Sequence, residues 1–556
     1  MVRCPHRPNC HPRESGDPAG ARPRANDSLG AQTSKSTPSA SRQVRAHGGA
    51  GSKNVFHART RVRWVPAFAG MTVVGLISLA LAACTVGPDF LKPSPETPET
   101  WTKTATAAKG KSVAVPAEPD NDAWWESFHD KELSSLVARA RGANLDLKEA
   151  ALRIAEARWQ ERITRAGEYP TLGGNASYAS TQFSTTTAQG AVFGDLGSIK
   201  GPPGLQFPSF PNPYDQYQLG FDASWEPDLF GGLKRSEEAN SAQTEAAEEA
   251  SHDALVSLEG EIGRVYIDLR GAQEKLAITE DTLAADRETL TLLRQRLAAK
   301  LGNELDVRNE AAQVATTQSE VPVFDGQIDG DINQLSYLLA REPQALRSEL
   351  IAKHAVPPVP PQVPIGLPSD LARRRPDIRE AEANLHAATA NVGVAVANLY
   401  PTVTFTAGIG TQAERFPNLA DWASRFFQAG PTINVPIFEG GRLKATVRLD
   451  ETAQKLAAVD YAKTVLSAVH DVENALVAYD TEQRRRAALV ESVKENTDAL
   501  ALARLRYRDG MTTFLDVLTA QRTLLAARLT LADSTASVST DLVALYKALG
   551  GGWEEI

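Results

Sequence analysis

Four short segments of this chain alternate apolar and polar residues with a period of two, in two pairs set far apart. Near 171–181, Leu172, Gly174, Ala176 and Tyr178 oppose Thr171, Gly173, Asn175 and Ser177. Near 217–226, Leu219, Phe221, Ala223 and Trp225 oppose Gln218, Asp222, Ser224 and Glu226. Near 402–410, Val403, Phe405, Ala407 and Ile409 oppose Thr402, Thr404 and Thr406, and near 430–438 Ile433, Val435 and Ile437 oppose Thr432 and Asn434. Segments of about ten residues, apolar on one side and polar on the other, are the pattern of membrane β-strands, although half-buried sheets in water share it. Four strands cannot close around a channel, and open sheet edges are not tolerated in hydrocarbon. If these strands enter a membrane, several copies of the chain must share one barrel.

The pairs sit in two similar halves. A helical face formed by Trp124, Trp125, Phe128, Leu133, Leu136, Ala140, Leu147 and Ala150 runs to about Gly167 and is broken by Tyr169-Pro170-Thr171. In the second half a helix from about Asp370 to Asn398 meets Tyr400-Pro401-Thr402. Proline suits both breaks because it lacks a helical donor and restricts the residue before it. Each strand pair then leads into a very long helical pattern: 233–299 with a partner from Glu304, and 443–507 with a return from Thr513 to Leu549. A continuous helix over 233–299 spans on the order of 100 Å at 1.5 Å per residue. The resulting organisation is a first repeat over 130–340 with a hairpin tip near 300–305, a Pro-rich linker over 341–368, a second repeat over 369–549 with a tip near 508–513, and a tail over 550–556. Helices this long need lateral partners, and a soluble coiled-coil scaffold is the plain alternative.

The front of the chain reads as leader. Residues 1–63 are rich in Arg, Pro, Ser and Gly without a sustained apolar period, as in a processed or misassigned start. Cys4, His6, Cys10 and His11 are too cramped for an ordinary zinc site. Arg59, Arg61 and Arg63 precede an apolar run over 73–83, the length of a signal-peptide core, ending in Leu81-Ala82-Ala83-Cys84. This resembles the bacterial lipoprotein processing box, with Cys84 as the lipid attachment site and Thr85 in place of the Asp that marks inner-membrane retention. Residues 1–83 are then removed, and 84–129 form the lipidated N-terminal segment and part of a mixed equatorial region with the linker. Several acyl chains on one residue give stable attachment where one is marginal.

No constellation for catalysis, metal or cofactor binding stands out. His129, His252, His354, His386 and His470 are scattered, and Gly231-Gly232 and Gly440-Gly441 lack the following Lys-Ser/Thr of a phosphate loop. A formal charge of -9 argues against a nucleic-acid partner. The reading is a non-enzyme.

At several points the chain resembles the outer-membrane efflux protein family, in its lipoprotein branch associated with resistance-nodulation-division type pumps. The resemblance runs over 84–550. It is carried by Cys84-Thr-Val-Gly-Pro-Asp-Phe90, by Trp124-Trp125 with Phe128, Asp130 and Asn144, and by Trp225-Glu-Pro-Asp-Leu-Phe-Gly231. Gly366-Leu-Pro-Ser-Asp-Leu371, Arg373-Arg-Arg-Pro-Asp-Ile-Arg379, Ala397-Asn-Leu-Tyr-Pro401 and Pro436-Ile-Phe-Glu-Gly-Gly-Arg442 complete it. It implies a mixed α and β fold: a homotrimer whose 12-stranded outer-membrane β-barrel, four strands per chain, is continuous with a long periplasmic α-helical barrel. It also implies a passive exit duct for small molecules such as drugs, working with a periplasmic adaptor and an inner-membrane transporter. A type I secretion conduit and a non-conducting lipid-anchored scaffold are the alternatives.

The family's helical tips converge to constrict the channel. Here they read Lys300-Leu-Gly302-Asn-Glu-Leu-Asp306-Val and Tyr507-Arg-Asp-Gly510-Met-Thr-Thr-Phe-Leu-Asp516-Val. Asp306 and Asp516, on matching Leu-Asp-Val triads, are the expected aperture carboxylates, repeated three times around the axis; helix capping is the plainer role. Lys300 stands where the first tip often has Gly, and Thr512 and Thr519 replace charged residues of some relatives, so no particular salt-bridge lock is expected.

Overall fold

The computed structural model describes residues 85–94, 97–102, 112–115, 123–184, 186–187 and 212–553. Cys84, the leader and most of the outer loop between the first two strands lie outside the described residues. A short strand β1 (Val113–Val115) precedes a 3-10 turn at Trp124–Phe128 and helices α1 (Lys131–Ala143) and α2 (Leu145–Ala166). Strands β2 (Thr171–Thr181) and β3 (Tyr214–Trp225) lead into α3 (Gly232–Ala298), which turns into α4 (Glu304–Leu338). After β4 (Gln362–Pro364) the pattern recurs as α5 (Pro376–Ala397), β5 (Thr402–Ala413), β6 (Arg425–Asn434), α6 (Arg442–Arg508) and α7 (Phe514–Ala548).

One uninterrupted helix from Trp124 to Gly167 does not form. Asp130 caps α1 by accepting from the Glu132 and Leu133 amides at 2.9 and 3.1 Å. Asn144 then stops it, because its side chain accepts from the Asp146 and Leu147 amides at 2.8 and 3.0 Å and starts α2 afresh. An Asn that caps from within a helical pattern competes with the backbone ladder, and Asn144 also donates to the Leu338 carbonyl at 3.0 Å, which fixes the break against α4. Likewise Arg375 is extended, so the stretch from Asp370 divides into a one-turn helix, Leu371–Arg374, and α5 with Pro376 in its first turn.

The four longer strands form one antiparallel sheet in the order β2-β3-β5-β6. Its register places Leu172 opposite Ala223, Phe221 opposite Ile409, and Val403 opposite Ile433, so the apolar sides of all four strands make one continuous face. That face is bare: Leu172 is 76% exposed and Phe427 84%. Aromatic pairs stand at both ends of it, Trp225 on Phe405 (6.0 Å) and Tyr178 on Tyr217 (4.8 Å). The fourth strand lies earlier than the alternation of Ile433, Val435 and Ile437 suggests. It starts at Arg425 and ends at Asn434; Pro436 has no N–H to continue the ladder.

The helices form a layer continuous with the sheet. Beside it α2, α3, α5 and α6 pack side by side in that order, and toward the tips the order becomes α4, α3, α7, α6. The core sits where the two sets meet. Trp124, Phe128, Leu133 and Leu136 pack there with Ile262, Tyr266, Leu269, Ile332, Leu335 and Leu542, all but inaccessible to solvent. Trp124 stacks on Tyr546 (5.6 Å) and leaves no room for a side chain at position 263, where a Cβ would lie 2.8 Å from its ring. The linker wraps this core through backbone acceptors: buried Arg270 donates to the Leu350 and Ala352 carbonyls, Gln273 to Leu350, and Ser539 to Pro357. β1 and β4 pair in parallel, and Trp101 donates to the Gly366 carbonyl, tying residues before α1 to those before α5. Removing the indole by Trp124→Ala is expected to cost about 3–5 kcal/mol, read as a lower denaturation midpoint of the purified protein.

Candidate functional site

The two helical hairpins end in tips built on one plan. At the first, α3 closes with Lys300 at φ +61° and a Leu301 amide bond to the Arg296 carbonyl. At the second, α6 closes with Gly510 at φ +72° and a Met511 amide bond to the Arg506 carbonyl. Lys300, not Gly302, is therefore the counterpart of Gly510, and it bears the left-handed cost that glycine avoids. Gly302 is needed for want of space instead, since a Cβ there would meet the Leu297 backbone at 3.0 Å.

Asp306 and Asp516 are each third residue of the outgoing helix, after the caps Asn303 and Thr513, yet they do different things. Asp516 folds back on its own helix start. It accepts from the Thr513 amide at 3.1 Å, the Thr513 hydroxyl at 3.0 Å and the Thr512 hydroxyl. These donors, Thr512 foremost, hold its carboxyl below the usual Asp range. Asn303 instead caps α4 through the Leu305 amide, which leaves Asp306 free to reach across. Its carboxylate accepts from the Tyr507 hydroxyl of the other hairpin at 3.4 Å, a long and therefore weak bond. The Tyr507 ring is fixed by Phe514 edge-on at 5.4 Å and the Arg296 guanidinium at 5.1 Å. Burial and the Asp306 charge raise its phenol above the ordinary tyrosine range.

The structure thus brings Asp306 and Tyr507 together across 201 residues of sequence and keeps Asp516 apart as a cap. Behind the tips an apolar cluster of Leu293, Leu500, Phe514, Val517, Leu518 and Leu524 holds the hairpins side by side. Sequence reasoning singled out both Tyr507 and Asp306 as tip residues but not their pairing. It missed the buried polar group of Asp286, Glu310 and Gln521 above the apolar cluster, since neither pairing leaves a signal in spacing. Among the described residues no group of three His, Cys, Asp or Glu side chains is placed to hold a metal ion, and no helix is long and apolar enough to cross a membrane.

The profile of the family described as outer membrane efflux protein matches residues 136–341 and 367–551. This chain belongs to that family. It is 32% identical over 498 residues to the outer membrane protein OprJ of Pseudomonas aeruginosa, covering 88% of this chain and 97% of OprJ. The probable outer membrane lipoprotein SilC of Salmonella typhimurium is 31% identical over 480 residues, covering 85% and 97%. Among solved structures, the outer-membrane channel OprN superposes with a TM-score of 0.74 at 33% identity, covering 84% of this chain and all of OprN. The protein is accordingly a non-catalytic outer-membrane and periplasmic exit duct of a tripartite efflux system for small molecules. Membership implies a homotrimer working with an adaptor and an inner-membrane transporter.

The strained turn gives a direct test. Lys300→Gly is expected to strengthen the first tip by up to about 1 kcal/mol, and Gly510→Ala to weaken the second by about 1–2 kcal/mol. Hydrogen exchange of the tip amides reads both local opening energies.

Proposed function

We propose that three copies close one wall, that Cys84 anchors each copy by lipid, and that the Asp306 tips form the periplasmic aperture. The unpaired sheet edges carry the first claim. β2 and β6 are the outer strands of the sheet, and their free N–H and C=O groups face hydrocarbon unless β6 of one copy pairs with β2 of the next. Three copies then make twelve strands with no edge. The helical layer supports the same closure. Its two outer helices each carry an exposed apolar stripe at spacings of three, four and seven: Leu145, Leu152, Trp159 and Ile163 on α2, and Leu449, Leu456, Val459 and Leu466 on α6. All are at least 60% exposed in the single chain, a large apolar surface that marks a partner.

Support for the anchor comes from the residues after Cys84. The Val86 amide donates to the Phe230 carbonyl at 3.2 Å, and the buried Arg235 holds the Val86 carbonyl and Asp89 at 3.2 and 2.5 Å. Thr85 lies so close to Gly231 that a Cβ there would be 2.8 Å from its Cα. The segment that follows Cys84 is therefore fixed at the junction of β3 and α3, the level at which an acyl chain enters the lipid. The likeness to SilC, named as a probable lipoprotein, agrees with this reading.

Closure also sets the chemistry of the passage. The polar sheet face turns inward and carries Asp222, bonded to Asn175 at 2.9 Å, among Thr, Gly, Ser and Gln. At the far end three copies of Asp306, each held to a Tyr507, ring the opening, and three capping Asp516 lie beside them. Converging carboxylates attract cations and repel one another, so the aperture selects by charge and the tether between hairpins resists opening. A non-conducting scaffold would have no use for a bare apolar sheet face.

Two outcomes are expected. Leu152→Asp or Leu456→Asp shifts the protein from trimer to monomer in detergent, as measured by light scattering after size exclusion. Replacing Asp306 and Asp516 together with Ala reduces cation preference, seen as a smaller reversal potential across a salt gradient in a planar bilayer. An unaltered potential at every salt concentration would remove the aperture assignment.

A further inference from the structure

Above the apolar tip cluster the two hairpins meet through a buried polar group. Asp286 stands on α3 about three turns from its end, Glu310, Gln313 and Thr317 on the start of α4, and Gln521 and Arg522 on α7. Glu310 and Thr317 are wholly buried; Asp286, Gln313 and Gln521 are no more than 5% exposed. Most of the polar atoms are satisfied. Asp286 accepts from Thr317 at 3.1 Å and from the Gln521 amide at 3.2 Å, and Arg522 donates to Gln313 at 2.6 Å, so α7 is bonded to both helices of the first hairpin.

The exceptions are all acceptors. Neither carboxylate oxygen of Glu310 has a hydrogen-bond partner among the described residues, nor has the Gln521 carbonyl oxygen, whose amide is already given to Asp286. An ionised carboxylate in such a place lacks every donor it needs, and leaving it so costs several kcal/mol. A proton removes the charge and supplies a donor.

We propose that Glu310 is a proton-binding site: a neutral carboxylic acid set between the two hairpins, whose ionisation drives α7 and the first hairpin apart and couples the lower end of the duct to pH. The charged neighbours come from three helices. Asp286 faces Glu310 from α3 and raises its proton affinity; Arg504 from α6 and Arg522 from α7 oppose it; and burial, the largest influence, brings the carboxyl to about 7. Asp286 is itself raised by burial, with Thr317 and Arg504 opposing. The sign follows from the folded state binding a proton that the unfolded chain has already released. The contact is intact below the ordinary carboxylate range near 4.5, and its stability falls as pH rises through about 7. The interval is that of an ordinary neutral environment, so modest alkalinity loosens the hairpins and acidity tightens them.

The coupling to opening rests on the duct reading, but proton binding does not, and one experiment separates them. Infrared difference spectra of the detergent-solubilised protein, wild type minus Glu310→Gln, are recorded from about pH 5.5 to about pH 8.5. A carboxylic-acid carbonyl stretch should be present at the acid end and disappear with a midpoint near 7. Asp286→Asn, which keeps the shape and removes the neighbouring charge, should lower that midpoint. In planar bilayers the opening frequency of the wild type should rise over the same interval and that of Glu310→Gln should stay nearly level, while cation preference is unchanged in both. The proposal is overturned if the band is missing, if it titrates in the ordinary carboxylate range, if sodium in place of choline abolishes it, or if Glu310→Gln opens with pH as the wild type does. A protein that never conducts would refute the duct reading, with the infrared midpoint still telling whether Glu310 holds its proton.

Discussion

A backbone N–H or C=O that faces hydrocarbon without a partner costs several kcal/mol, and this chain leaves a row of backbone groups unpaired along each outer strand of its sheet. The four strands β2, β3, β5 and β6 satisfy one another but leave β2 and β6 half-paired. The apolar face, bare at Leu172 and Phe427, has the composition of a surface that meets lipid. The proposed closed ring of identical chains reconciles the two. The same proposal extends down the molecule: beside the sheet α2 and α6 end the helical layer and carry the exposed apolar stripes that neighbouring copies would cover.

Between sheet and tips the chain balances charge against packing. The equatorial core is aromatic and aliphatic, and the guanidinium of Arg270 buried within it is given over to the Leu350 and Ala352 carbonyls of the linker. The group around Glu310 is different. It offers acceptors without donors, which a core designed only for rigidity would avoid.

Duplication explains much of the architecture and fails where function begins. The two repeats fold alike down to the third residue of the helices that leave each tip. There, a Thr cap draws Asp516 into its own helix start, while an Asn cap, already bonded through Leu305, leaves Asp306 to cross to Tyr507. A hydroxyl cap at one tip and a carboxamide cap at the other accompany a carboxylate folded onto its own helix start and one that links the hairpins.

Local chemistry made much of this legible from the residues alone. Period-two alternation gave the strands and their common apolar face, the Tyr-Pro-Thr breaks ended the first helix of each half, and a Gly near each tip marked the turns. What periodicity alone missed has particular causes. Asn144 interrupts an otherwise continuous helical face because its side chain caps the Asp146 and Leu147 amides, a break that its bond to α4 fixes, and β6 begins at Arg425 because its register is set by β5, which periodicity in one strand cannot reveal. The sequence by itself determined the order of the main elements and, for strands that enter a membrane, the need for more than one copy, since these follow from spacing and from the strand count. Only the tertiary structure decided that Lys300 takes the left-handed turn, that Asp306 meets Tyr507, and that Glu310 is buried beside Asp286, because each depends on side chains brought together from distant helices and on the water that packing removes.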